Sequence, residues 1–167
     1  MDVRPAQTSD AGQIAEIYNY YIENSHATFE TERIDDAEML RRMEEGWADG
    51  YPFLVYEDQD AIVGYAYGRR YRPRFAYLHS IEISVYVKHG SGKQNIGTNL
   101  YESLIAEIRQ KDLHAVIGGI SLPNDASVRL HEKFGFEKVA HFREVGRKFG
   151  RWIDVGYWEL LLDKRPG

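Results

Sequence analysis

The segment from His79 to Gln110 constrains the fold most. Residues His79 to Lys88 alternate, with Ile81, Ile83, Val85 and Val87 on one side and Glu82, Ser84 and Tyr86 on the other, which is the period of a strand. The alternation breaks at His89-Gly90-Ser91-Gly92, and a helix is predicted from about Ile96 to Gln110. A strand that enters a helix through glycines commits the chain to a mixed α/β order. It also creates a candidate phosphate site, because backbone N–H groups converge in such a turn and the helix N-terminus adds partial positive charge. A glycine-rich connection with no ligand fits this one segment equally well.

The rest of the chain fills in that order. Val3 to Pro5 reads as a short strand. Thr8, Ser9 or Asp10 can cap a helix to about Glu23, with Ile14, Ile17, Tyr18, Tyr21 and Ile22 on one face. Glu30 to Asp35 is a polar loop. A second helix starts at about Ala37 with the stripe Met39, Leu40, Met43 and Trp47, and Gly50 ends it. Phe53–Glu57 and Ile62–Tyr67 alternate as strands around the turn Asp58-Gln59-Asp60, a hairpin. Tyr71 to Tyr77, rich in Arg and Pro, is expected as a loop. A strand from Ala115 to Ser121, a helix capped by Asn124 or Asp125 and closed at Gly135, and strands near Glu137–Val145 and Trp152–Leu162 complete the chain.

At 167 residues the chain suits one domain spanning 1–167 with one substantial core. Its apolar runs fall far short of the ~20 residues a membrane helix needs, and Met1-Asp2-Val3-Arg4-Pro5 lacks the apolar stretch of a signal peptide. A soluble cytoplasmic chain without membrane contact is expected. The absence of cysteine excludes disulfides, zinc-thiolate sites and a thiol nucleophile. A net charge of -5 with no long basic run argues against nucleic acid as a partner.

Gly92-Lys93 suggests a nucleotide-binding P-loop, but that motif needs Gly where Val87 stands and Ser or Thr where Gln94 stands. Asn124, Ser127 and His131 are spaced by three and four residues, so they share one helix face and can line one cleft. By spacing alone a helical histidine, like a strand carboxylate such as Glu82, is more often structural than catalytic. The other histidines, His26, His79, His89, His114 and His141, show no metal-ligand spacing with a supporting carboxylate, and no metal is expected.

Five stretches together resemble the GNAT acetyltransferases, and within them the phosphinothricin acetyltransferase group. They are Ile81-Glu82-Ile83-Ser84-Val85-Tyr86-Val87, the turn Gly92 to Gly97, Ile120 to Phe136, Phe149 to Trp158, and an N-terminal stretch of Asn19 to Ser25 with Thr28-Phe29 and Thr31-Glu32. The likeness covers almost the whole chain. The turn is where it departs: Gly92 replaces the usual Arg or Gln, Asn95 replaces the first Gly, and only Gly97 agrees. Asn is the residue after Gly that best tolerates a left-handed backbone, so the turn can keep its shape.

The resemblance implies a GNAT fold of the α/β (α+β) class: a central mixed, mostly antiparallel, twisted sheet of about seven strands with helices on both faces. It implies direct transfer of acetyl from acetyl-CoA to the primary amine of a small amino-acid-like acceptor of the phosphinothricin, methionine sulfoximine or sulfone type. Glu82 would be the general base, with His131 as its catalytic partner, either relaying the amine proton or protonating the departing thiolate. The cosubstrate would be held by Val85, Tyr86, Val87, Lys93, Gln94, Asn95, Ile96, Gly97, Thr98, Asn124, Ser127 and Lys133. The acceptor would be held by Phe29, Arg72, Pro73, Arg74, Tyr77 and Ser84, the arginines suiting a carboxylate or phosphinate because a guanidinium gives two parallel hydrogen bonds. The Val85 amide is the expected oxyanion donor where the Glu82 strand splays from its neighbour. A homodimer is expected. Another amine acceptor (polyamine, aminoglycoside or protein N-terminus) and a non-catalytic coenzyme A sensor are the competing readings.

Overall fold

The computed structural model describes residues 2–91 and 95–162. Seven strands form one sheet: β1 (Asp2–Pro5), β2 (Phe53–Asp58), β3 (Ala61–Arg70), β4 (Ser80–Val87), β5 (Ala115–Leu122), β6 (Glu137–Lys148) and β7 (Arg151–Leu161). Their spatial order is β1-β2-β3-β4-β5-β7-β6, and every neighbouring pair is antiparallel except β4 and β5. That parallel pair needs a crossover connection, which runs through the helix α3 (Ile96–Ile108). The other helices are α1 (Ala11–Asn24), α2 (Asp36–Ala48) and α4 (Asp125–Lys133). None of the described helices is long and apolar enough to cross a membrane.

Helices cover both faces, as expected. On one face α1 and α2 bury Ile14, Ile22 and Met43 against Phe53, Val55 and Tyr65. On the other, α3 buries Leu100, Leu104 and Ile108 against Leu54, Ala66, Ile81 and Ile83. Each of the Leu, Ile, Val, Met and Phe side chains contributes roughly 1.5–3 kcal/mol of transfer free energy. Strand alternation therefore sends Ile81, Ile83, Val85 and Val87 to the α3 face and Tyr86 to the α1 face.

Two strand ends lie beyond their expected limits. β3 continues from Tyr67 through Arg69 and Arg70, whose backbones pair with Glu82 and Ile81 of β4. β6 continues from Val145 to Lys148, because an irregularity between Phe142 and Gly146, with Glu144 at φ 53, lets pairing resume after it. Both hairpins close on two left-handed residues, Gln59 and Asp60 (φ 49 and 63) and Phe149 and Gly150 (φ 51 and 72), the twist a two-residue turn requires.

Candidate active site

Strands β4 and β5 pair only at Ser80–Ala115, Ile81–Val116 and Glu82–Ile117, and then part. The alternation of backbone direction decides what that split exposes. Lys88 N–H donates to Val63 C=O, and Gly68, opposite Ile83, donates away from β4 to Pro52 C=O. Lys88, Tyr86, Ser84 and Glu82 thus point their backbone groups at β3, while Val85 and Val87, beyond the last β4–β5 rung, point theirs into the split. Tyr21 Oη–H donates to Val87 C=O at 2.6 Å, consistent with that direction.

A cavity of about 1000 Å³ occupies the split. Val85, Tyr86, Val87 and Ser84 of β4 line it, together with Asn95, Gly97 and Thr98 at the start of α3 and Asn124, Ser127, His131 and Lys133 of α4. Asn95 is left-handed (φ 72, ψ 5), so it supplies the backbone shape expected of the glycine it replaces. The first turn of α3 leaves its N–H groups without intrahelical acceptors, which suits an anionic ligand. Ile96 is buried in the core rather than facing the cavity. Lys93, Gln94 and Gly92 lie outside the described residues. Lys133 Nζ is 3.4 Å from Thr98 Oγ1, so a cation stands across the cavity mouth from the α3 start.

Asn124 caps α4, its Oδ1 accepting from Ser127 N–H at 3.2 Å. Two turns on, His131 is 3% exposed. Its Nδ1 lies 2.8 Å from Ser127 C=O and its Nε2 2.8 Å from Tyr101 Oη. A carbonyl only accepts, so Nδ1 carries the proton. Burial lowers the His131 pKa below the ordinary histidine value, so Nε2 is unprotonated and Tyr101 O–H donates to it. Burial also raises the Tyr101 phenol above its ordinary range. The result is a neutral pair, with both imidazole nitrogens engaged. The ring packs directly over Gly118, where an added Cβ would stand 2.1 Å from Nε2.

Glu82 lies on the opposite face of the sheet from His131. It lines a second cavity of about 430 Å³ with Phe29, Arg69, Phe142, Val145 and Tyr157, which adjoins the first through the shared residues Ala27, Gly119 and Ser121. Gly119 leaves the passage open: an added Cβ would meet Tyr157 Cε1 at 3.3 Å and Glu82 Oε1 at 3.8 Å. Arg69 Nη2 donates to Glu82 Oε1 at 2.9 Å. Ser121 Oγ–H donates to His26 C=O at 2.6 Å and accepts from His26 Nδ1 at 3.1 Å. Phe29 fills the space above Gly146, where an added Cβ would lie 2.3 Å from the ring. The segment bearing His26 and Phe29 is tied down by Lys148, whose buried ammonium donates to the carbonyls of Tyr21, Ser25 and Thr28.

The structure therefore gathers most of the expected residues around one split but divides them between its two sides. Glu82, Phe29 and Ser84 lie toward the α1 face, and His131, Asn124, Ser127 and Lys133 toward the α3 face. Arg72, Pro73, Arg74 and Tyr77 stand on the exposed turn between β3 and β4 and line neither cavity. Arg72 instead covers the Tyr71 ring. Arg69 and Tyr101 were not foreseen from sequence. For Tyr101 no signal marks the pairing; for Arg69 the signal was its period-two phase with Tyr65 and Tyr67. No group of three or more His, Asp or Glu suited to a metal occurs among the described residues.

A family model described as an acetyltransferase (GNAT) domain matches residues 3–156. Among curated relatives, a phosphinothricin N-acetyltransferase of Streptomyces coelicolor is 41% identical over 97% of this chain and 96% of its own. An L-methionine sulfoximine/L-methionine sulfone acetyltransferase of Salmonella typhimurium is 35% identical over 98% of this chain and 96% of its own. A solved Salmonella typhimurium acetyltransferase with its cofactor acetyl-CoA superimposes with a TM-score of 0.95 at 34% identity, covering 99% of this chain and 96% of that one.

Proposed function

The chain belongs to the GNAT acetyltransferase family, and on that premise we propose that it moves the acetyl group of acetyl-CoA to the primary amine of a small amino-acid-like acceptor of the phosphinothricin or methionine sulfoximine/sulfone type. The observation that carries this reading is the split between β4 and β5, with backbone donors along one wall and Glu82 where the two cavities meet. The larger cavity fits the cosubstrate. Its volume, the α3 N-terminus, Lys133 and the Val85 and Val87 amides directed into the split suit a long ligand with phosphates at one end and a thioester carbonyl at the other.

An amino acid arrives with its amine protonated, and a base must remove a proton before nitrogen can attack. Glu82 takes that proton. The nitrogen lone pair then forms the N–C bond to the acetyl carbon, the C–S bond breaks, and its electron pair leaves on sulfur; the second N–H proton passes to solvent or to the thiolate. The Val85 N–H, directed into the split, is the donor for the transient oxyanion. His131 acts at one remove: it fixes the Tyr101 hydroxyl in the wall of the larger cavity and is a positioning residue. Thiol release from acetyl-CoA over a panel of amino acid analogues, polyamines and aminoglycosides tests the acceptor class. Release with methionine sulfoximine or phosphinothricin is expected. Release with polyamines alone, or binding without release, would sink it.

A second copy of the chain is the proposed partner. β6 ends the sheet as an edge strand, and the β6/β7 hairpin exposes Val139, Phe142, Val145, Phe149, Trp152 and Leu161, each more than half accessible. An apolar edge of this extent invites pairing.

A further inference from the structure

We infer that Arg69 is the residue that selects the acceptor, and that the Arg69–Glu82 ion pair is a stand-in for a zwitterion. The inference rests on the acetyltransferase reading above. Arg69 and Glu82 sit directly opposite each other on β3 and β4. Both line the smaller cavity, and among the described residues they are the only side chains with a formal charge that do. The rest of its lining is apolar or aromatic, apart from His26 and Ser121, which hydrogen-bond to each other. An α-amino acid carries an ammonium and a carboxylate on one carbon. Bound here, its ammonium donates to Glu82 and its carboxylate accepts from the Arg69 guanidinium, so the acceptor replaces each partner of the ion pair with one of the same sign. Neither protein charge is left alone, and the amine is delivered to the carboxylate that must take its proton.

The unequal exposure of the two partners fits this exchange. The Glu82 side chain is 16% exposed and the Arg69 side chain 57%. The carboxylate is fixed on the strand beside the passage at Gly119. The guanidinium sits at the rim on a long stem and also lines a neighbouring cavity beside Tyr67, so it has room to withdraw. Arg72 and Arg74, the arginines a loop reading favours, are on the exposed turn outside this cavity. A monoamine offers Glu82 the same ammonium but gives Arg69 nothing. The device therefore discriminates by the second charge of the acceptor.

Paired acceptors test it: L-methionine sulfoximine and its methyl ester, which keeps the amine and loses the carboxylate charge. The readout is thiol release from acetyl-CoA under steady-state conditions. Wild type should prefer the free acid. In Arg69→Gln the acid-to-ester ratio of kcat/KM should fall at least about tenfold, with the loss in the acceptor KM rather than the acetyl-CoA KM, and Arg69→Lys should recover part of it. Equal losses for acid and ester would mean that Arg69 acts only on Glu82, and would overturn the inference. So would a preference that survives in Arg69→Gln and disappears in Arg72→Ala or Arg74→Ala. Thiol release by wild type from other amines but from no amino acid would instead overturn the acceptor reading on which the inference stands.

Discussion

Gly118 and Gly119 are neighbours on β5 that face opposite sides of the sheet, and alanine at each should have opposite consequences. An ideal Cβ at Gly118 would lie 2.1 Å from His131 Nε2 and 2.6 Å from its Cδ2. Ordinary contact requires about 3.5 Å, so the ring must retreat by roughly 1.4 Å. The 2.8 Å bond from Tyr101 to Nε2 cannot survive that shift. Overpacking a core costs about 1–3 kcal/mol, and leaving the buried phenol without an acceptor costs about 1–3 kcal/mol more. A total near 4 kcal/mol lowers Tm by roughly 12 °C in a chain of this size. At Gly119 the added Cβ meets only Tyr157 at 3.3 Å and Glu82 at 3.8 Å, a strain of a few tenths of an ångström, and alanine in a strand recovers some backbone entropy. Gly119→Ala should melt within about 3 °C of wild type yet raise the acceptor KM several-fold, because it narrows the passage beside Glu82. Thermal unfolding by circular dichroism and thiol release on both variants decide the matter. If Gly118→Ala melts like wild type, or Gly119→Ala is the unstable one, the two sides of the split have been assigned wrongly.

His131 gives a pH signature. Burial holds its folded pKa below the ordinary value of 6.5, so as pH falls through that value the unfolded chain takes up the proton first. Stability is then complete above about pH 6.5 and declines below it, by up to about 1.4 kcal/mol per pH unit from this group, until the folded ring protonates as well. Urea midpoints at several pH values for wild type and His131→Asn should show a shallower acid decline in the variant; parallel declines would contradict a neutral buried ring. For the β6/β7 edge, sedimentation should show a dimer for wild type and a shift to monomer for Trp152→Glu, whereas a monomeric wild type would remove the proposed partner.

How far the fold was legible followed the range of the interactions involved. Helix α2 and its end at Gly50, the Gln59–Asp60 turn and the left-handed Asn95 were readable because each rests on residue type and short-range pattern. The alternation along β4 correctly separated Glu82 from Ile81 and Ile83. The expected end of β3, at Tyr67, falls too early: Arg69 keeps the period-two phase of Tyr65 and Tyr67, but Arg69-Arg70 runs into the polar loop from Tyr71, and what holds the two arginines in the sheet is pairing with Glu82 and Ile81, a dozen residues away. That misplaced end hid Arg69 from the site. The Tyr101–His131 bond spans 30 residues between two helices, and nothing local announces it. Gly118-Gly119 did carry a signal, since glycines inside a strand mark a close approach; the approach is His131 on one side and the passage to Glu82 on the other.

The role of Glu82 is the centre of the account, and Glu82→Gln tests it most directly. The amide is nearly isosteric but cannot take a proton at any working pH. Calorimetry should show acetyl-CoA binding retained, because the larger cavity does not include this side chain. Thiol release with methionine sulfoximine should fall by about 10²–10⁴-fold, with part of the loss regained at alkaline pH as the acceptor amine deprotonates in solution. Turnover equal to wild type from acid to alkaline pH would show that the base lies elsewhere.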